Sequence, residues 1–143
     1  MTDLEFSQKF PNFSMSELAC HDADRTPVPK EVRGNYVVTL KIIQFIRTLT
    51  GLAIILTSGF RTYIYNISIG GATKSFHTFK ACAIDFRFKW VFNTEKRLQR
   101  VFDALDTAQR TGMITAGGLH LYKRGKKSFI HLDTRGYNAR WSG

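Results

Sequence analysis

Two histidines and one aspartate form the strongest set of chemistry-bearing residues in the sequence. His77 lies in a predicted loop, whereas Asp85 and His131 each alternate with apolar residues in short strand-like segments. Such alternation predicts that Asp85 and His131 point away from the core face of their strands. Two imidazoles and one carboxylate are ligands that a catalytic zinc ion uses while a fourth position stays open to water. Zinc lowers the pKa of that water to about 7, so hydroxide would be available at neutral pH.

Hydrophobic periodicity indicates the elements that must hold these residues. The first predicted helix spans about residues 31–50 and ends at Gly51, and the second spans residues 94–111. The apolar positions of the first helix recur at helical spacing: Val38, Ile42, Phe45, Ile46 and Leu49. Compact or alternating apolar segments predict strands over residues 53–57, 83–88, 117–123 and 128–135. We therefore expect one α+β domain over residues 1–143, with two main helices packed on a small, mostly antiparallel sheet.

The charge balance limits the class of partner. The chain carries 21 Lys and Arg against 11 Asp and Glu, which gives a net charge of +10 and a pI near 10.0. Such a protein is attracted to polyanions, namely nucleic acid, an anionic membrane face or phosphate-rich cell-wall polymers. No segment reaches the ~20 apolar residues of a membrane-spanning helix, and the N-terminal residues lack the pattern of a signal peptide. We therefore expect synthesis in the cytosol and no membrane span.

The cysteine spacing disfavours sulfur chemistry. Cys20 and Cys82 are far apart in the sequence and form no Cys-x-x-Cys pair. A thiolate zinc site or a thioredoxin-like redox motif is therefore not expected. In a cytosolic protein these residues are predicted to be two free, partly buried thiols.

Five short motifs occur in an order typical of one peptidase family. The motifs are Ser58-Gly59-Phe60-Arg61, Gly70-Gly71-Ala72, Ser75-Phe76-His77, Ala83-Ile84-Asp85 and Phe129-Ile130-His131-Leu132-Asp133, with Asn66 between the first two. Together they resemble the zinc D-Ala-D-Ala carboxypeptidase family, which includes bacterial and phage cell-wall endopeptidases and shares its fold with the hedgehog signalling domain. The resemblance spans about residues 12–141, and the C-terminal segment is similar to the small phage-associated branch of that family.

The resemblance implies a role for each matching residue. His77, Asp85 and His131 would be the ligands of zinc, the expected cofactor. Arg61 would lie beside the metal, where its guanidinium suits a substrate carboxylate or the oxyanion of a tetrahedral intermediate. Ser75 would either hydrogen-bond near the substrate or simply shape the loop.

The sequence departs from the family pattern at three places. Lys80 stands where relatives usually carry glycine, three residues after His77. His77 and Asp85 are eight residues apart, one more than usual, and a local bulge could absorb the extra residue. Ser128 occupies the position, three residues before His131, at which many relatives have an acidic general base.

Without an acid at Ser128, two other residues are candidates for the catalytic base. Asp133 shares a strand face with His131, so its carboxylate could accept the proton of a zinc-bound water or could instead orient His131 as a hydrogen-bond partner. His120, together with Tyr122, faces away from the neighbouring leucines and could line the cleft or be an ordinary sheet histidine. The sequence leaves these alternatives open.

The residues and the resemblance together predict a zinc-dependent peptidase that cleaves amide bonds in peptidoglycan stem peptides, with anionic envelope polymers as further partners. As a phage lysin it would stay in the host cytoplasm until release to the cell wall, or it would be carried in a virion. One alternative is a virion structural protein that kept the fold and lost catalysis. Another is a nucleic-acid-binding module that uses the basic cluster at residues 123–127, although no recognised nucleic-acid motif supports this less favoured partner.

Overall fold

The computed structural model describes residues 1–78 and 80–142, which form four helices and one four-stranded sheet. The helices are Asp3–Lys9 (α1), Arg33–Thr50 (α2), Tyr63–Ser68 (α3) and Glu95–Arg110 (α4). The strands are Ile54–Ser58 (β1), Ile84–Phe88 (β2), Leu119–Tyr122 (β3) and Phe129–Leu132 (β4). The strand order is β1-β2-β4-β3, and each neighbouring pair is antiparallel. The predicted α+β class, with two main helices on a small antiparallel sheet, is confirmed.

The two long helices begin and end where local sequence signals place them. Thr94 caps α4, because its hydroxyl oxygen accepts a hydrogen bond from the amide of Arg97 at 3.1 Å. Gly51 ends α2 with a φ of +67°, a left-handed conformation that glycine adopts without steric cost. α2 packs against β2, and α4 packs against β3 and β4. Among the described residues, no helix has both the length and the apolar content needed to cross a bilayer.

The residues that α2 buries are mostly not the apolar residues that its helical spacing had indicated. The helix buries Tyr36, Leu40 and Ile43 completely, whereas Phe45 and Leu49 are 65% and 73% exposed. The helix is apolar on two adjacent faces, so the 3.6-residue period alone could not decide which face packs on the sheet. The exposed face is a surface feature and not part of the core.

The core lies between the sheet and the helices. Its largest fully buried side chains come from both layers, from α1 and from the segment that follows α1: Phe6, Phe10, Leu18, Tyr36, Leu40, Ile43, Ile84, Phe86, Phe88, Leu98, Leu119 and Ile130. Cys20 and Cys82 are buried and free, as expected. The periodicity missed two short helices, α1 and α3. Thr2 caps α1 and Thr62 caps α3, so cap residues were the available signal for both.

The register of the sheet brings the candidate site residues to one end of it. Asp85 on β2 lies opposite His131 on β4, and His131 lies opposite His120 on β3. On the other side of β2, Ser58 pairs with Asp85 after an irregularity that follows Leu56. This end of the sheet is called the site end below.

Candidate metal centre

Three side chains from separate parts of the chain converge at the site end. His77 comes from the loop before β2, Asp85 from β2 and His131 from β4, and one ligand atom of each lies within 4.8 Å of the others. Nε2 of His77 is 3.3 Å from Oδ2 of Asp85, and Nδ1 of His131 is 3.0 Å from Oδ1. All three side chains are buried, so their polar atoms depend on one another instead of on solvent. The structure thus brings together the three predicted ligands.

Each histidine is oriented by a hydrogen bond from its other ring nitrogen. Nδ1 of His77 donates to the carbonyl oxygen of Gly59 at 2.7 Å. Nε2 of His131 donates to Oδ2 of Asp133 at 2.8 Å. Both contacts leave the opposite nitrogen facing Asp85, which is how metal-binding histidines are usually held. The donor set, its orientation and its separations of roughly 3 Å fit a tetrahedral zinc site.

The electrostatics of the cluster favour a cation between the three groups. Burial alone would raise the pKa of Asp85, but the facing His77 and the hydrogen bond from His131 outweigh it and hold that pKa well below its usual range. Burial would lower the pKa of His131, but hydrogen bonds to Asp133 and Asp85 prevail and raise it to about 9. In the metal-free protein a proton on Nδ1 of His131 therefore neutralises part of the negative charge. A divalent cation would replace that proton.

Asp133 is completely buried, and hydrogen-bond donors occupy both oxygens of its carboxylate. Oδ1 accepts from the amide of Gly118 at 2.8 Å and from Nε of Arg135 at 2.9 Å. Oδ2 accepts from His131 at 2.8 Å and from Nη2 of Arg135 at 2.7 Å. Burial would raise the pKa of Asp133, but these donors lower it instead. Of the two roles considered for Asp133, the hydrogen bonds favour orientation of His131 over proton transfer, because no lone pair faces the cleft without a partner.

Two consecutive glycines make room for Asp133. A Cβ atom on Gly117 would lie 1.7 Å from the carbonyl oxygen of Asp133, and one on Gly118 would lie 2.4 Å from its Oδ2. A side chain at Gly117 would therefore require a backbone shift, and one at Gly118 would displace the Asp133 and Arg135 side chains. No local pattern indicates that this pair serves the site, since Gly118 and its partner Asp133 lie 15 residues apart.

Arg61 lies beside the cluster and is held in place by three contacts. Its Nε donates to Ser58 Oγ and its Nη1 donates to Asn66 Oδ1, each at 3.2 Å, while Nη2 is 3.5 Å from Oδ2 of Asp85. Asn66 is itself fully buried and would collide with any Cβ on Gly71, at 2.0 Å. Asn66 thus helps to position Arg61, and the lack of a side chain at Gly71 leaves room for Asn66.

The loop between His77 and β2 contains two consecutive non-glycine residues with left-handed backbone. Lys80 and Ala81 both have positive φ, of 63° and 42°. Lys80 thus adopts a left-handed backbone that glycine tolerates better than other residues. The amides of Cys82 and Ala83 both donate to the carbonyl of Phe76. Phe79 lies outside the described residues.

Ser75 lies at the start of the same loop. Its hydroxyl oxygen accepts from the amide of His77 at 3.2 Å, and its carbonyl accepts from Thr78. Ser75 also lines the cleft over the metal cluster. The position is compatible with both roles considered for it, loop shaping and substrate contact.

Neither Ser128 nor His120 belongs to the His-Asp-His cluster. Ser128 is buried, and its hydroxyl donates to the carbonyl of Gly125 in the turn before β4. His120 stacks on Trp141, with ring centroids 5.4 Å apart, and is not among the described residues that line the cleft. Trp141 and Tyr122, which flank His120, do line the cleft. The indole nitrogen of Trp141 donates to the hydroxyl of Tyr122 at 3.0 Å.

The cleft over the cluster has a volume of about 420 Å³ and is open to solvent. Its cationic lining residues are Arg61, Lys74 and Arg135, and its aromatic ones are Phe76, Tyr122 and Trp141. Ser75, His77 and His131 also line it. No Asp or Glu occurs among the described lining residues. Arg135 and Trp141 were not predicted as site residues. Their only sequence signal was their place in the C-terminal segment that resembles the family's small branch.

Comparison with known families agrees with this geometry. The model of the family described as Peptidase M15 matches residues 11–133, most of the chain and all three candidate ligands. No curated protein and no solved structure matches the chain. The family match and the buried His-Asp-His cluster point to the same zinc-dependent chemistry. This chain belongs to the M15 peptidases, the family of zinc-dependent enzymes that resemble D-Ala-D-Ala carboxypeptidases.

Proposed function

We propose that the protein is a zinc-dependent peptidase that hydrolyses amide bonds in peptidoglycan stem peptides, as a D-Ala-D-Ala carboxypeptidase or an endopeptidase. The observation that carries this proposal is the convergence of His77, Asp85 and His131 beneath an open cleft with Arg61 at its side. The match to the M15 family supports the same chemistry. The peptidoglycan substrate follows from the resemblance of the sequence motifs.

The residues of the cluster would have separate tasks. His77, Asp85 and His131 would hold zinc through Nε2, a carboxylate oxygen and Nδ1 respectively. Zinc bound there supplies Lewis acidity, which polarises the scissile carbonyl and lowers the pKa of water to about 7. The Gly59 carbonyl and the Asp133 carboxylate keep both imidazoles in the tautomers that ligation requires.

The cleft suits a peptide that carries carboxylates. Arg61, Lys74 and Arg135 line it, and stem peptides bear free carboxylates at their ends and side chains. Arg61 is preorganised by Ser58 and Asn66, so it loses little entropy when it binds a carboxylate or a developing oxyanion. The rings of Tyr122 and Trp141 give the peptide an apolar wall on the other side.

The proposal extends to the setting in which the enzyme acts. A net charge of +10 favours anionic envelope polymers as secondary partners, and contacts of this kind weaken as salt increases. The C-terminal segment resembles the small phage-associated branch, which supports a lysin released to the cell wall or a virion component. Neither setting changes the chemistry of the cleft.

Zinc content and product analysis test the proposal together. We expect one zinc per chain in the wild-type protein and a new product from purified muropeptides. His131→Ala should lose both, whereas His21→Ala, in an exposed loop, should keep both. Mass spectrometry of the products distinguishes loss of a terminal D-alanine from separation of a cross-linked dimer. These two outcomes identify a carboxypeptidase and an endopeptidase respectively.

Two results would contradict the proposed activity. Stoichiometric zinc with no product from any muropeptide would favour a protein that kept the fold without catalysis. Product formation that persists in His131→Ala would show that the cluster does not carry the reaction.

A further inference from the structure

The end of the sheet opposite the metal cluster carries exposed apolar residues. Trp90, Val91 and Phe92 follow β2 directly and are 60%, 61% and 38% exposed. Next to them lies the turn between β3 and β4, at residues 123–127, which contains four basic residues and a glycine. Residues 89–92 and 123–127 together are called the basic platform below. The proposed peptidase function does not involve this surface.

Hydrogen bonds of Asn93 and Glu95 join the two halves of the basic platform. Asn93 is fully buried, and its Nδ2 donates to the carbonyls of Lys126 and Ser128 at 3.0 and 2.9 Å. Its Oδ1 accepts from the amide of Phe88 at 3.0 Å. The carboxylate of Glu95 accepts from the amide of Gly125, also at 3.0 Å. These bonds therefore hold residues 90–92, called the apolar tip below, next to the basic turn at residues 123–127.

The charge of this surface is strongly positive. Its exposed basic side chains, with that of Lys96 on the adjoining helix, are Lys89, Lys96, Lys123, Arg124, Lys126 and Lys127. The neighbouring acid, Glu95, already bonds Gly125 within the turn. Six exposed cations thus lie on the same two segments as the three exposed apolar side chains or next to them in the sequence.

We propose that the basic platform docks the protein on the surface of an anionic lipid bilayer. Tryptophan is enriched at the boundary between headgroups and hydrocarbon, where an amphipathic ring meets both environments. Lysines near such a surface are attracted to anionic headgroups and can keep their charge in water while the apolar tip inserts. Trp90, Val91 and Phe92 supply the tip, and the fixed turn supplies the cations.

The contacts on the platform favour a bilayer over a nucleic acid. Lys126 Nζ lies over one face of the Trp90 ring, 5.8 Å from its centroid, so a base could stack on that face only by displacing the lysine. Val91 has no ring to stack, although it is as exposed as Trp90. An aliphatic residue at the centre of the tip contributes to insertion into lipid and adds nothing to stacking.

Tryptophan fluorescence provides a direct test. The chain has two tryptophans, so Trp141→Phe leaves Trp90 as the only one. We expect its emission to shift to the blue on addition of phosphatidylcholine vesicles with about a third phosphatidylglycerol. Brominated lipids should quench it, and pure phosphatidylcholine vesicles should give neither effect. Co-sedimentation of the unsubstituted protein with the same vesicles checks that the Trp141→Phe background behaves normally.

Matched variants separate the platform from the rest of the basic surface. Trp90→Ala should weaken vesicle binding about tenfold, because one large ring no longer inserts. Lys126→Gln and Lys127→Gln should each weaken it about fivefold. The controls are Leu49→Ser and Lys41→Gln on α2, which remove an exposed apolar residue and an exposed charge elsewhere and should leave binding unchanged.

Three results would overturn this proposal. The first is no binding to anionic vesicles at low salt by protein whose circular dichroism is native. The second is binding without quenching of Trp90, or with equal loss in the α2 controls, which would indicate non-specific charge attraction only. The third is absence of vesicle binding together with tight binding of a single-stranded oligonucleotide that depends on Trp90, which would indicate a nucleic-acid surface.

Discussion

The two ends of the four-stranded sheet hold their charges in opposite ways. At the site end, Asp85, His131 and Asp133 are buried, and each of their charged groups is hydrogen-bonded. At the other end, the lysines of the basic platform are exposed to solvent. A buried charge depends on its partners, whereas an exposed charge is stabilised by water and contributes little to folding. Equivalent substitutions should therefore have large effects at the site end and small effects at the platform end.

The largest contrast is expected from one glycine at each end. Gly117→Ala places a Cβ 1.7 Å from the backbone oxygen of Asp133, so the strand pairing must move, and we expect a loss of about 4 kcal/mol in the free energy of unfolding. Gly125→Ala, in the platform turn, meets open space and costs only the strain of its φ of +59°, about 1 kcal/mol. Urea denaturation of both variants measures the difference. Equal losses of stability in the two variants would contradict the expected difference between the two ends of the sheet.

The next contrast concerns a carboxylate at each end. Asp133→Asn removes the charge that holds both His131 and Arg135, so we expect a loss of about 3 kcal/mol in stability and zinc binding weakened by about 10- to 100-fold. Glu95→Gln alters an exposed carboxylate at the start of α4, which accepts from Gly125 in the platform turn, and should leave zinc affinity unchanged. Competition with a zinc chelator measures the affinity. Wild-type affinity in Asp133→Asn would show that Asp133 does not position His131.

Local patterns were sufficient to predict part of the site. The alternation around Asp85 and His131 fixes which strand face each occupies, because the period of a strand is set by its own backbone. Antiparallel pairing then brings the two residues opposite each other. His77 lies in a loop without periodicity, so its membership of the site came only from the resemblance of its motif.

The remaining features depend on contacts between distant parts of the chain. Gly117 and Gly118 matter because Asp133 packs against them, and Trp141 reaches the cleft from beyond the last strand. No local pattern encodes such contacts. The same limit explains the error in α2, whose two apolar faces are equivalent in sequence until the sheet buries one of them. Composition and periodicity thus predicted the fold class better than the surroundings of the cluster.

A pH contrast should separate the metal-free and zinc-loaded forms of the site end. The pKa of His131 is raised to about 9, above its ordinary value, so its stabilising contribution is complete below about pH 6.5 and is lost as pH rises through about 9. The metal-free protein should lose about 2 kcal/mol between pH 7 and 9.5. Zinc binding displaces the same proton, so zinc affinity should rise over that range.

Denaturation curves at several pH values, with and without zinc, measure both effects. His131→Gln provides the control, because it removes the titrating group and should flatten the pH dependence of the metal-free protein. Metal-free stability that rises between pH 7 and 9.5 would contradict the assignment of a protonated His131 between its two carboxylates.

The smallest effect is expected from the platform lysines. The double substitution Lys126→Gln and Lys127→Gln removes two of the four positive charges on one exposed turn. Among the described residues, no ion pair involves either lysine. We expect stability to change by less than about 0.5 kcal/mol, in the favourable direction at low salt because repulsion is relieved. The gain should disappear in about 1 M salt, where charges more than about 3 Å apart are screened. Thermal unfolding at low and high salt measures the change in stability. A loss above about 1 kcal/mol in the free energy of unfolding would mean that the platform charges stabilise the fold as the site-end charges do.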